Sequence, residues 1–107
     1  MVIDEPTKTR LRRRMLDRGH VLATLLAELL SGKRVEARLS AVGVDGKPGM
    51  RPEDKLRHAL EQIEVRRQLL ETDDDRFGRC DVCAAELGAV EIEELPWADR
   101  CRAHASA

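Results

Sequence analysis

The chain has no tyrosine, one phenylalanine (Phe77) and one tryptophan (Trp97). So few rings argue against a sandwich or barrel core and for long, solvated helices, as does a charged content of 36%. Formal net charge is only −1, which describes neither a strongly basic nucleic-acid binder nor an acidic mimic. There is no long apolar run: Val21 to Leu30 is short and contains Glu28, too little to cross a bilayer. The first ten residues are polar, so no signal peptide is expected and the protein reads as soluble and cytoplasmic. Cysteine is scarce, and its three copies are an odd number for a disulfide framework.

Those three cysteines and one histidine form a pattern. Cys80 and Cys83 are one pair, Cys101 and His104 a second with the same internal gap, and seventeen residues separate the pairs. Zinc takes four soft or borderline ligands at tetrahedral corners, and two tight turns closed on each other supply them. Four protein ligands leave no open position for substrate, so the expected role of Zn2+ is structural. Thiolate ligands fit a reducing cytosol. Gly78 before the first pair allows a sharp turn. Phe77 and Trp97 flank the pairs and are expected to pack around the metal knot instead of stacking on bases. His20 and His58 have no cysteine neighbours and read as surface residues.

The rest of the chain carries helical periodicity. Leu22, Leu25, Leu26, Leu29 and Leu30 make a stripe within a helix predicted over about 7–31, extended by Leu11 and Met15. Pro6 suits its first turn, Asp4 and Glu5 favour its positive end, and Gly32 suits its stop. A second helix is predicted over about 52–72, opened by Pro52, Glu53 and Asp54, with Leu56, Leu60, Ile63 and Leu70 as its seam. Folding back in one register sets Leu30 against Leu56, Leu26 against Leu60, Leu22 against Ile63 and Met15 against Leu70. It also brings Arg18 near Arg67, both with their heads in water. Leu25 and Leu29 are expected to stay uncovered on a two-helix seam.

This predicts a mainly α fold: an antiparallel, coiled-coil-like hairpin over 1–75 with a tip at about 32–51, then a small zinc-finger module over 76–107. The second half of the tip is turn-rich, with Gly43, Gly46, Pro48 and Gly49. Its first half fits either a helix (Val35, Leu39, Val42) or an extended arm.

The run Asp75-Arg76-Phe77-Gly78-Arg79-Cys80-Asp81-Val82-Cys83 resembles the start of the DksA/TraR-type zinc finger. The later run Glu94-Leu95-Pro96-Trp97-Ala98-Asp99-Arg100-Cys101 is similar to that family's approach to its second ligand pair. The resemblance spans roughly 55–104. It implies a helical hairpin joined to a zinc finger, and a non-enzymatic transcription regulator that binds bacterial RNA polymerase through protein–protein contacts. On the residues that match, it implies Cys80, Cys83, Cys101 and, in place of a commoner cysteine, His104 as zinc ligands. The family's acidic tip motif, D-x-x-D-x-A, is absent: Asp45 is the only aspartate in the tip.

Two other functions fit the residues. The basic cluster Lys8, Arg10, Arg12, Arg13, Arg14 and Arg18 offers phosphate contacts, set against neutralisation by Glu71, Asp73, Asp74 and Asp75 across the hairpin. A hairpin with uncovered leucines offers an adaptor or self-associating protein. No nucleophile–base pair, phosphate loop or open metal site is in view, and Asp73-Asp74-Asp75 reads as a solvated helix end, so no enzyme is expected.

Overall fold

The computed structural model describes residues 3–44 and 49–104. Two long helices, α1 (Glu5–Leu30) and α3 (Pro52–Glu71), pack antiparallel, with the short α2 (Glu36–Ala41) between them in sequence. A short α4 (Ala89–Glu94) and a 3-10 turn (Arg102–His104) follow. Among the described residues there is no strand, only an isolated antiparallel bridge between Arg79 and Glu86. Nor is any helix among them long and apolar enough to cross a membrane. The fold is the mainly helical hairpin with a C-terminal Cys3His group that the sequence predicts.

Local chemistry sets the helix ends. Asp4 caps α1 by accepting a hydrogen bond from the Thr7 amide at 3.0 Å, and Glu5 lies at the positive end of the dipole. At the other end the Lys33 amide reaches the Glu28 carbonyl and the Gly32 amide that of Leu29, with Gly32 at φ 95°. These paired reverse bonds form a Schellman stop. The same motif ends α2 (Val44 to Leu39, Gly43 to Ser40) and α3 (Asp74 to Leu69, Asp73 to Leu70). In α3 the left-handed position is held by Asp73 at φ 53° instead of glycine.

The core is one continuous cluster. Leu11, Met15, Leu22 and Leu25 of α1 and Leu56, Ala59, Ile63, Leu69 and Leu70 of α3 are buried with Val35, Leu39, Val44, Phe77, Leu87 and Ile92. Burying each large aliphatic among them contributes about 1.5–3 kcal/mol before entropy is subtracted. The metal-ligand segment and the tip therefore share the hairpin's core.

The sharing corrects the simple two-helix register. Leu25 is buried and Leu29 partly so, whereas Leu30 is 59% exposed and does not form the expected partner of the fully buried Leu56. The cause is the tip. Val35, Leu39 and Val42 follow their helical spacing, so α2 forms, and its apolar side joins the hairpin core. Arg38 pairs with Glu28 of α1. The expected turn residues Gly46 and Pro48, and Asp45, lie outside the described residues.

Arg18 and Arg67 also separate. Arg67 bonds Glu64 on its own helix. Arg18 turns inward: its guanidinium lies 4.3 Å from the centre of the Trp97 ring and donates to the Val42 carbonyl at 2.6 Å. Burial lowers its pKa from the ordinary arginine value. The buried arginine of α3 is Arg66, 1% exposed, one position before the residue expected to interrupt the seam.

Candidate metal centre

The first ligand pair sits on a tight turn after α3. Gly78 takes φ 79° and Ala84 takes φ 62°, and the backbone folds back so that the Cys80 amide bonds the Ala85 carbonyl and the Ala84 amide bonds the Cys80 carbonyl, both at 2.9 Å. The Leu87 amide closes on the Gly78 carbonyl. The second pair brackets the 3-10 turn, with Cys101 just before it and His104 at its end, and the His104 amide bonds the Cys101 carbonyl at 3.0 Å. A backbone bond joins the two turns: the Asp81 amide donates to the Asp99 carbonyl at 2.8 Å.

These turns bring all four sequence-predicted ligands together. One donor atom from each of Cys80, Cys83, Cys101 and His104 lies within 4.8 Å of every other, an arrangement that can hold a metal ion. A tetrahedron built with zinc–sulfur bonds near 2.3 Å has sulfur–sulfur edges of about 3.8 Å and sulfur–nitrogen edges of about 3.6 Å. Cys83 Sγ and Cys101 Sγ are 3.7 Å apart, and Cys80 Sγ is 3.6 Å from His104 Nδ1. Cys101 Sγ approaches the same Nδ1 at 3.2 Å. The donor set therefore fits a tetrahedral cation in both spacing and chemistry, with His104 presenting Nδ1.

The electrostatics suit a cation too. Burial opposes ionisation of Cys80, but the amides of Cys101, Cys83 and Val82 point at its sulfur and outweigh it, bringing its pKa down to about 6. The Val82 amide is 3.4 Å from that sulfur. For Cys83 the Ala85 amide pulls the pKa down, yet burial and the neighbouring Cys101 and Cys80 sulfurs prevail and raise it. A cation placed between the sulfurs would favour the thiolate forms that bind a metal.

Sequence reasoning missed what seats the centre on the hairpin. Arg66 of α3 donates to the Arg76 carbonyl at 3.0 Å and to the Asp81 carboxylate inside the first turn. Trp97 also rests under Arg18 of α1, with the guanidinium 4.3 Å from the ring centre, and is packed against the core cluster that includes Cys80. Phe77 is buried as expected. His20 and His58 are exposed on their helices.

The basic residues of α1 are largely engaged. Lys8 pairs with Asp73 at 3.1 Å, Arg10 with Glu93 at 3.1 Å, and Arg12 makes a two-pronged contact with Glu71. Arg14 donates to the Glu94 carbonyl at 2.9 Å. Of the acids expected opposite the cluster, Glu71 and Asp73 take that place, while Asp74 turns to Arg76.

Comparison with known proteins bears on this site. A stretch of 52 residues, 49% of the chain, is 40% identical to the RNA polymerase-binding transcription factor DksA of Haemophilus influenzae. The chain is similar to DksA over half its length. The match covers 34% of that relative, so the chain spans only about a third of it. No family model matches the chain, and no solved structure does. The relative is by its description a transcription factor, and this chain carries the Cys3His group besides that partial likeness.

Proposed function

We propose that this protein is a zinc-binding transcription regulator of DksA type that acts in the bacterial cytoplasm by binding RNA polymerase, protein to protein. The observation that carries the reading is the convergence of Cys80, Cys83, Cys101 and His104 at the base of an antiparallel hairpin, in a chain with a DksA-like stretch. In this reading Zn2+ is held by those four residues and its part is structural. Binding deprotonated thiols and imidazole converts metal affinity into folding free energy, on the order of 10–16 kcal/mol for structural zinc. The module over about 76–107 then depends on the ion, and the hairpin over 1–75 presents the contact surface.

The tip departs from the family's acidic pattern, so the action at the polymerase active centre is not carried over to it. The engaged basic face of α1 favours a protein partner over nucleic acid, because Lys8, Arg10 and Arg12 already face acids. A pull-down with purified bacterial polymerase, as core and as holoenzyme, tests the reading. Retention on either is expected, and retention on neither rejects it.

A further inference from the structure

Arg18 stands where three parts of the chain meet. It projects from the middle of α1, its guanidinium faces the ring of Trp97, and it donates to the carbonyl of Val42 at the end of α2. Its Nε is buried without a hydrogen-bond partner. A guanidinium with one orphaned donor keeps an inward position only while its other contacts hold it there. The competing position is outward and fully hydrated. The balance between the two is set by whether Trp97 and the Val42 carbonyl stay in place.

Both neighbours are tied to something larger. Trp97 is four residues before Cys101, and the intervening Asp99 carbonyl accepts the amide of Asp81 from the first ligand turn. The place of the ring thus depends on the two turns staying closed on each other. On the far side, Val42 caps α2, whose Val35 and Leu39 are buried in the hairpin core together with Val44.

We infer that Arg18 couples the cysteine–histidine module to the 35–44 segment, so that closure of the metal turns, by seating Trp97, helps hold that segment against α1. The coupling rests on the metal-binding reading above for its trigger but not for its contacts. Opening the module withdraws the ring, Arg18 turns to water, the Val42 carbonyl loses its donor, and α2 loosens from the hairpin. The apolar residues it covers then become available to a partner only when the ion has left.

Amide hydrogen exchange on the full chain tests this. The reporters are the amides of Val42 and Val44, which bond Arg38 and Leu39 carbonyls, with the α3 amide of Ile63 as control. Losing a cation–ring contact and a charged hydrogen bond is expected to speed reporter exchange about tenfold. That acceleration is expected when a chelator strips Zn2+ from the wild type, and also in Trp97→Leu with Zn2+ present, with Ile63 unchanged in both. Arg18→Met is expected to exchange fast from the start and to gain nothing further from chelation. Arg18→Lys keeps the charge but lacks the planar fork, and is expected to fall between.

Unchanged reporter exchange in a folded Trp97→Leu protein overturns the coupling. So does an equal response to chelation in Arg18→Met and wild type. A protein that takes up no Zn2+ counts against the function proposed above, and the Trp97→Leu comparison then decides the coupling alone.

Discussion

The Arg66 guanidinium, 1% exposed, donates to the carboxylate of Asp81, which is half in solvent. This pair pins α3 to the turn between Cys80 and Cys83, and its two partners are unequal. Replacing the buried cation by Met removes a charge from the core and leaves an exposed carboxylate that water solvates. Replacing Asp81 by Leu leaves a buried guanidinium with, among the described residues, the Arg76 carbonyl as its hydrogen-bond partner. A buried charge stripped of its partner is costly, whereas an exposed carboxylate left alone is solvated at little cost. Asp81→Leu is expected to destabilise by about 3 kcal/mol and Arg66→Met by about 1 kcal/mol or less. Urea unfolding of the two variants, each with Zn2+ present, checks the order; equal losses would show that the pair is not the junction.

The metal centre gives a second expectation. His104 presents Nδ1 to Cys80 and Cys101, so His104→Cys should keep a four-ligand site and His104→Ala should not. Elemental analysis of reduced protein is expected to return one Zn2+ per chain for wild type and His104→Cys. His104→Ala is expected to bind at least tenfold more weakly, with water in the fourth position. Full occupancy and unchanged affinity in His104→Ala would remove the histidine from the ligand set.

Much of this was legible in the sequence, for a physical reason in each case. The ligand set is a matter of four residue types at fixed spacing, and the α1 stop is a matter of Gly32 taking a positive φ. The tip was not legible. Val35, Leu39 and Val42 fit helical spacing while neighbouring positions also alternate, and six residues of helix give too little periodicity to decide. Nor did periodicity separate Arg66 from Arg67: adjacent positions on a helix differ by 100°, and the seam through Leu56 and Ile63 shifts once Ala59 and Leu69 join it. The Arg18–Trp97 contact was hidden too, because nothing in one dimension shows Arg18 arriving from α1.

Acid should expose a third relationship. Asp74 accepts from Arg76 through both the side chain and the backbone amide, and these bonds hold its pKa at about 2, against an ordinary 3.8. A depressed carboxylate stabilises the fold fully above its unfolded value and loses that contribution as pH falls through the folded one. The contribution is therefore present above about pH 4 and is lost on the way to pH 2. Glu71, lowered by Arg12, adds to the same trend. A carboxyl NMR titration is expected to find Asp74 well below the ordinary aspartate value, and Arg76→Ala to return it to the ordinary range. An Asp74 midpoint unmoved by that substitution would assign the shift elsewhere.

The α3 stop supplies the last test. Asp73 occupies the left-handed position that Gly32 and Gly43 fill after α1 and α2, and its carboxylate accepts from Lys8 Nζ. Backbone and charge therefore pull in opposite directions. Gly32→Ala meets no atom within 4 Å, so its cost is conformational alone, about 1 kcal/mol. Asp73→Asn keeps much of the left-handed tolerance and removes the ion pair, at a cost of up to about 1 kcal/mol, since Asp73 is largely exposed. Asp73→Gly loses the same pair but relaxes the backbone, and should unfold close to wild type. Thermal unfolding at low salt is expected to rank wild type and Asp73→Gly above Asp73→Asn, with the gap narrowing as salt screens the Lys8 pair. If Asp73→Gly proved less stable than Asp73→Asn, the strain assigned to φ 53° would be absent, and the Lys8 contact would have to explain why an aspartate stands there.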